Sequence, residues 1–257
     1  MKIAIIGFGR FGKLFADIMK QLGEVHIISS SGQSCDFPLI DYKDLGQMDW
    51  VIPAVPISHL RETLQKIAPE LKAGALTFDV SSVKVLPCQW LKEVLPTSTQ
   101  IIGTHPMFGP DSAKNGLKGL QIVLCPIRQE TDTLEKLRTF FDSQGLKVIE
   151  TTAEEHDRQA AKCLSLVHFL GRGLSRLPVK RQEISTLGFE RLLTVNETVS
   201  NDTWQLFFDM QKYNPYSKQV RTKMIEALIE LDNEITNQEV DNELQQNDEL
   251  TREHTAT

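Results

Sequence analysis

The chain of 257 residues has no apolar run near the ~20 residues that a membrane-spanning helix requires. It has no basic excess either: 28 Lys and Arg stand against 34 Asp and Glu, a formal net charge of −6. A nucleic-acid partner, which needs a basic face, is therefore not expected. Cysteine is scarce and dispersed. The four thiols (Cys35, Cys88, Cys125, Cys163) form no C-x-x-C pair. That argues against a zinc site or a disulfide framework and fits a reducing cytoplasm. No metal site is expected. The first residues read as a strand with no charged-then-apolar leader, so no secretory leader is expected. There is no internal repeat. The one biased stretch is a tail rich in Asn, Gln and Glu. From Glu239 onward, six acids meet one base, so the tail carries most of the net charge. Such a tail is expected to be solvated or frayed.

What is present begins at once. Lys2-Ile3-Ala4-Ile5-Ile6 is a short apolar run, as a buried parallel strand requires. Gly7-Phe8-Gly9-Arg10-Phe11-Gly12 follows, and Lys13 to Leu22 carries helical spacing. This is the Gly-rich strand–turn–helix of a dinucleotide site. The first glycine allows the tight turn, the second admits a pyrophosphate, and the third lets helix and strand pack closely. The helix N-terminus then offers free N–H groups to phosphate. Nicotinamide is favoured over flavin, because no additional flavin-binding region is evident. Val25 to Ile28 reads as the second strand and ends in Ser29-Ser30-Ser31. An NAD site usually carries Asp or Glu there, on the ribose 2′-hydroxyl. Hydroxyls in its place lean toward NADP, with NAD possible; a serine-rich turn with no cofactor role is the competing reading. Val55 and Pro56, where the third strand ends, complete the expected cofactor contacts.

Further strands are expected over Asp49–Val55, Ala75–Val80, Ile101–Gly103, Gln121–Leu124 and Lys147–Ile149. Helices are expected over Leu60–Leu71, Val85–Val94 and Thr131–Gln144. Repeated βα units predict an α/β fold, a Rossmann-type mainly parallel sheet with helices on both faces. After Thr151 the pattern changes. From Glu154 almost to Glu239 no convincing strand is seen, and Val220 to Ile235 reads as a long amphipathic helix. The expected organisation is a dinucleotide-binding domain over residues 1–152, a smaller all-helical domain over 153–238 and an acidic tail over 239–257. A helical unit that small builds a thin core alone. A homodimer through the helical region is therefore expected.

Thr104-His105-Pro106-Met107-Phe108-Gly109-Pro110 is the run that points to chemistry. Pro106 biases His105 toward extended backbone. Gly109 and Pro110 mark a turn. His105 should therefore project from a strand end into the space where open α/β sheets bind ligands. A histidine satisfied by loop hydrogen bonds is the competing reading. Three more runs share the order of a known family: Asp79-Val80-Ser81-Ser82-Val83-Lys84, Glu155-His156-Asp157-Arg158 and His168-Phe169-Leu170-Gly171-Arg172. With them the chain resembles the prephenate/arogenate dehydrogenase family of tyrosine biosynthesis over roughly residues 1–235. Lys114-Asn115-Gly116 and Tyr213-Asn214-Pro215 look like its plant-type arogenate branch.

That resemblance implies NAD(P)-dependent oxidative decarboxylation of prephenate to 4-hydroxyphenylpyruvate, with arogenate to tyrosine as the alternative. It implies His105 as the base for the ring hydroxyl and Ser82 as its hydrogen-bonding partner. A turn or cap serine is the competing reading for Ser82. It implies His168 as a substrate contact. Arg172, four residues on and so on the same helix face, is expected to anchor a carboxylate; a surface ion pair competes. Lys84 is expected to position the loop or bind a carboxylate. Glu155, His156 and Asp157 match a family signature but sit at a helix start, where capping and hinge contacts are the preferred reading. One departure concerns a deeper arginine that binds the substrate side chain in many bacterial members. Val195 falls near that place, with Arg191 the nearest alternative. An acidic residue that tends to accompany arogenate use is also absent: Leu124-Cys125-Pro126 stands there, a lean toward prephenate. A hydroxyacid or imine dehydrogenase and a non-catalytic nucleotide sensor remain as other readings.

Overall fold

The computed structural model describes residues 1–30 and 35–255, with side chains described as far as residue 238. Seven strands form one sheet: β1 (Lys2–Ile6), β2 (Glu24–Ile28), β3 (Trp50–Pro53), β4 (Leu76–Phe78), β5 (Gln100–Pro106), β6 (Gln121–Arg128) and β7 (Lys147–Glu150). Their order is β2-β1-β3-β4-β5-β6-β7. From β2 to β5 all neighbours run parallel. β6 lies antiparallel to β5, and β7 parallel to β6. The expected mainly parallel sheet is present, and its last two strands are reversed as a pair. Apolar periodicity carries no strand direction, so that reversal had no sequence signal.

The helices are α1 (Arg10–Met19), α2 (Ile57–Ile67), α3 (Val85–Val94), α4 (Pro110–Ala113), α5 (Thr131–Ser143), α6 (Ala153–Ala160), α7 (Leu166–Leu174), α8 (Leu187–Ser200), α9 (Trp204–Tyr213) and α10 (Ser217–Thr255). Two differ from expectation. The helix expected from Lys13 starts at Arg10, directly on the glycine loop. The acidic tail, expected to fray, continues α10 to Thr255; its Glu, Gln and Leu content favours helix. No strand follows β7 among the described residues. The chain divides into two compact units, Met1–Ser217 and Lys218–Thr257.

Strand periodicity splits the core. Ile3 and Ile5 of β1 face one apolar cluster, with Phe15 and Met19 of α1 and Leu137 and Phe141 of α5. Ala4 and Ile6 face the other, with Leu60, Leu64 and Ile67 of α2 and Leu91 of α3. Alternate residues of one strand thus cover both faces, as a sheet buried on both sides requires. Ile101 belongs to the second cluster. Gly103 and His105 follow it at the strand period and share its face.

The helices after β7 are fastened to this face by an exchange of caps. Neither α2 nor α3 has a side-chain cap of its own. Asp157 of α6 accepts from the Lys84 and Val85 amides at the start of α3, at 2.7 and 2.9 Å. Asp209 of α9 accepts from the amide and hydroxyl of Ser58 at the start of α2, both at 3.0 Å. Each carboxylate satisfies helix N–H groups that no local residue reaches.

Candidate active site

The glycine loop joins β1 to α1. Gly7 has φ +105°, and a Cβ there would collide with the Ala54 carbonyl at the end of β3. Nothing lies within 4 Å of the point where Gly9 would carry a Cβ. The first turn of α1 has no side-chain cap and no acidic residue. Its amides are therefore open to an anion, and the loop fits a pyrophosphate. The side chains of Phe8 and Phe11 turn inward, onto Phe37 and Phe15, so only their backbone borders the loop. Arg10 is tied down: its guanidinium holds Asp111 at 3.0 Å and the Asn201 carbonyl at 2.9 Å. That arrangement latches the loop to α4 and to the α8–α9 connection. Val55 borders the loop at Gly7, and Pro56 follows it at the start of α2. Ser29 and Ser30 follow β2 with no carboxylate between them and Ile28; Ser31 lies outside the described residues.

His105 is buried near the end of β5. Its Nδ1 lies 2.8 Å from Nε2 of His156, and Nδ1 of His156 lies 2.8 Å from the Asp157 carboxylate. The protons along this chain follow from the carboxylate, which only accepts. With a single proton on His156, its Nδ1 donates to Asp157, so its Nε2 accepts, so Nδ1 of His105 donates. Nε2 of His105 is left with a lone pair and, among the described residues, no hydrogen-bond partner. Burial, then the neighbouring His156 and the Lys84 ammonium, hold the His105 pKa well below the ordinary 6.5. Its imidazole is neutral across the physiological range.

Lys84 lies beneath this chain. Its ammonium is fully buried, paired with the fully buried Asp79 and donating to the Thr104 carbonyl. Asp79 also accepts from the amides of Thr104 and Ser81. Lys84, expected to position the loop or bind a carboxylate, thus has its ammonium on Asp79 and the Thr104 carbonyl. An ammonium with no exposed surface and two partners supports the histidine strand from below. The expected Ser82–His105 bond is not present among the described residues. Ser82 Oγ is instead buried without a partner. The capping and hinge reading fits Asp157, which caps a helix across the fold. Asp157 caps α3 and not its own helix, which Thr152 caps, and His156 holds the base. The signal was present in the motif, but its partner lay 51 residues away.

His168 and Arg172 line α7 and are buried. His168 Nε2 lies 3.7 Å from the Asp202 carboxylate, and Arg172 stacks over Trp204 at 4.3 Å and donates to the Asp202 carbonyl. Burial, then Arg172, lowers the His168 pKa to about 4. Burial raises that of Asp202, with Asp111 adding to it. Three of the five buried side-chain atoms without a partner among the described residues are Ser82 Oγ, His168 Nδ1 and Arg172 Nε. Unpaired buried polar atoms are costly, so Ser82, His168 and Arg172 each keep an atom that a polar ligand would satisfy. Val195 packs against Gly171 and offers no charge, while Arg191 is exposed.

The route from α6 to α7 passes through a π-helical turn over Ala161–Ser165. His156 and His168 are twelve residues apart. At about 100° per residue an unbroken α-helix would leave them roughly 120° apart, whereas one extra residue in a wide turn brings them to roughly 20°. Gln211 takes up the Ser165 carbonyl at 2.7 Å.

Residues 36–150 match the family model described as "Prephenate dehydrogenase, nucleotide-binding domain", and residues 173–248 match "TYRAAT1-like, C-terminal domain". The chain is 31% identical over 230 residues to arogenate dehydrogenase 2, chloroplastic, of Arabidopsis thaliana, covering 84% of this chain and 64% of that protein. It is 28% identical over 261 residues to a probable arogenate/prephenate dehydrogenase of Methanocaldococcus jannaschii, covering 93% of this chain and 58% of that one. The chain thus spans less than two thirds of the length of these curated relatives. The crystal structure of Synechocystis arogenate dehydrogenase shares the fold, with a TM-score of 0.70 at 22% identity over 93% of each chain. By family model and by curated relatives, the chain is similar to the prephenate/arogenate dehydrogenase family over most of its own length.

Proposed function

We propose that the chain is an NAD(P)-dependent dehydrogenase that oxidatively decarboxylates a cyclohexadienol carboxylate, prephenate or arogenate. The observation that carries this reading is the Asp157–His156–His105 chain, which leaves Nε2 of His105 as a neutral base with no partner among the described residues. The substrate ring carries a hydroxyl on C4 and a carboxylate on C1. Nε2 of His105 takes the C4 hydroxyl proton, and Ser82 Oγ orients that oxygen. A nicotinamide dinucleotide held by the Gly7–Gly12 loop would supply the hydride acceptor for C4, with loss of carbon dioxide from C1 making the ring aromatic. Arg172 and His168 hold the substrate's carboxylate end. His156 and Asp157 act as positioning residues: they fix the tautomer and steady the imidazolium that forms.

Arogenate is supported by the Arabidopsis relatives, whose names specify it. Prephenate is supported by the neutral Leu124-Cys125-Pro126 on β6. NADPH and NADH formation by the pure protein, measured with each substrate, decides between them. Turnover with neither would remove the reading. NADP is preferred in this proposal because Ser29 and Ser30 present no carboxylate to a 2′-phosphate. Ser30→Asp should then shift preference toward NAD; unchanged selectivity would mean the ribose lies elsewhere.

Two further parts of the reading concern the whole protein. A homodimer is supported by Ile225, Leu228, Ile229 and Ile235, which recur on α10 and are exposed. Sedimentation as a monomer at micromolar concentration would overturn it. A cytoplasmic location is supported by four unpaired thiols, and no described helix is long and apolar enough to cross a membrane. The Arabidopsis relative is named chloroplastic, so cell fractionation is the deciding measurement.

A further inference from the structure

Two of the four thiols meet beside the base, and the reaction above uses neither. Cys125 on β6 stands opposite Gly103 on β5, two residues before His105. Gly103 and His105 share a face of the sheet. Cys88 reaches the same spot from the first turn of α3, its amide bonded to the Lys84 carbonyl at 2.9 Å. A Cβ on Gly103 would collide with Cys88 Sγ and meet Cys125 Cβ at 3.4 Å. The absence of that atom is what lets the two side chains converge. They pack in one cluster with Val123 and Met107. Both also border an open cavity of about 720 Å³, whose walls include Ile127, Thr151, Thr152 and Glu155. A small polar reagent therefore has a route to sulfur atoms that are otherwise enclosed.

The pair is also asymmetric. The neighbouring Cys125, then burial, holds the Cys88 thiol above its ordinary range. Cys88 in turn lowers the pKa of Cys125; burial opposes this and the Lys84 ammonium assists it. That direction favours Cys125 as the thiolate, with Cys88 packed beside it.

We propose that Cys88 and Cys125 are a reversible oxidation site, converted to a disulfide by hydrogen peroxide entering through this cavity. The Cys125 thiolate attacks one peroxide oxygen; the S–O bond forms, the O–O bond breaks, and hydroxide leaves and is protonated to water. Cys88 sulfur then attacks the sulfenic sulfur; the S–S bond forms, the S–O bond breaks, and a second water leaves with the thiol proton. Two electrons pass from the two sulfurs to the peroxide. A disulfide needs its sulfurs about 2.05 Å apart, so closing it draws the first turn of α3 toward β6. That turn holds Asp157, and Asp157 holds His156 against His105. Oxidation therefore loosens the tautomer lock and reversibly lowers turnover.

The test treats the full chain with hydrogen peroxide, alkylates the remaining thiols and maps peptides by mass without reductant. The expected result is a Cys88–Cys125 linked peptide and the loss of these two thiols, both reversed by dithiothreitol. Cys163→Ser should leave the link intact; Cys88→Ala and Cys125→Ala should each abolish it. Because the wild-type map needs neither substrate nor variant, it stands whether or not the assigned reaction does, and only the loss of turnover rests on that assignment. The proposal fails if Cys88 and Cys125 stay alkylatable at doses that oxidise the exposed Cys163. It fails equally if they reach sulfinic acid without a linked peptide.

Discussion

Nε2 of His105 can act as a base only while Nδ1 keeps its proton, and that proton is directed by His156. His105→Asn removes the base and should lower kcat by at least about a hundredfold with cofactor affinity retained; near-normal kcat would reassign the base. His156→Asn should lower kcat while leaving KM nearly unchanged, because the ring no longer has a fixed tautomer. The double variant should be no worse than His105→Asn alone, since groups acting as one unit are not additive. An additive loss would mean His156 contributes in some other way. Lys84 belongs to the same scale. Lys84→Met leaves Asp79 charged and unpaired in the core, and should cost about 3–5 kcal/mol of stability. Chemical denaturation measures it; a change in substrate KM at full stability would restore the carboxylate-binding role. His105 was legible from its strand–Pro–turn setting. His156 was not, because a pairing across the fold leaves no trace in local spacing.

At the scale of elements, the π turn between α6 and α7 sets which side chains face the site. Deleting Cys163 from that turn would close it into regular helix and rotate His168 and Arg172 by about 100° relative to His156. The substrate KM should rise with helix content and cofactor affinity unchanged. An unaltered KM would show that alignment of the two histidines has no role. The sequence identified these helices by their apolar spacing, yet the wide turn carries no composition of its own. All seven strands were legible for the opposite reason. Short apolar runs between turn residues are what a buried sheet demands. The glycine loop was legible too, since each glycine answers a steric requirement that no other residue meets.

At the scale of the molecule, the buried histidines couple folding to pH. An unfolded chain protonates His168 near 6.5, whereas the folded one resists until about 4. Between those values the unfolded state binds more protons, so stability is full above about pH 6.5 and falls with acidification toward about pH 4. The shift is worth about 3 kcal/mol. His105, also displaced downward, acts with the same sign. Urea melts at about pH 7.5 and about pH 4.5 should show the loss; identical free energies would mean these rings are hydrated in the folded state. Partner choice is the least legible property at this scale. Exposed apolar residues on α10 declare a surface without declaring what covers it.

The exchanged caps have a practical consequence for anyone dividing the chain. A fragment ending at Thr152 would keep every strand and the whole glycine loop. It would nevertheless present the Ser58, Lys84 and Val85 amides to water, since Asp157 and Asp209 would be gone. Such a fragment should still take up nucleotide, but the opening turns of α2 and α3 should exchange their hydrogens rapidly. The autonomy of the amino-terminal half would be that of a scaffold with two helices unfinished.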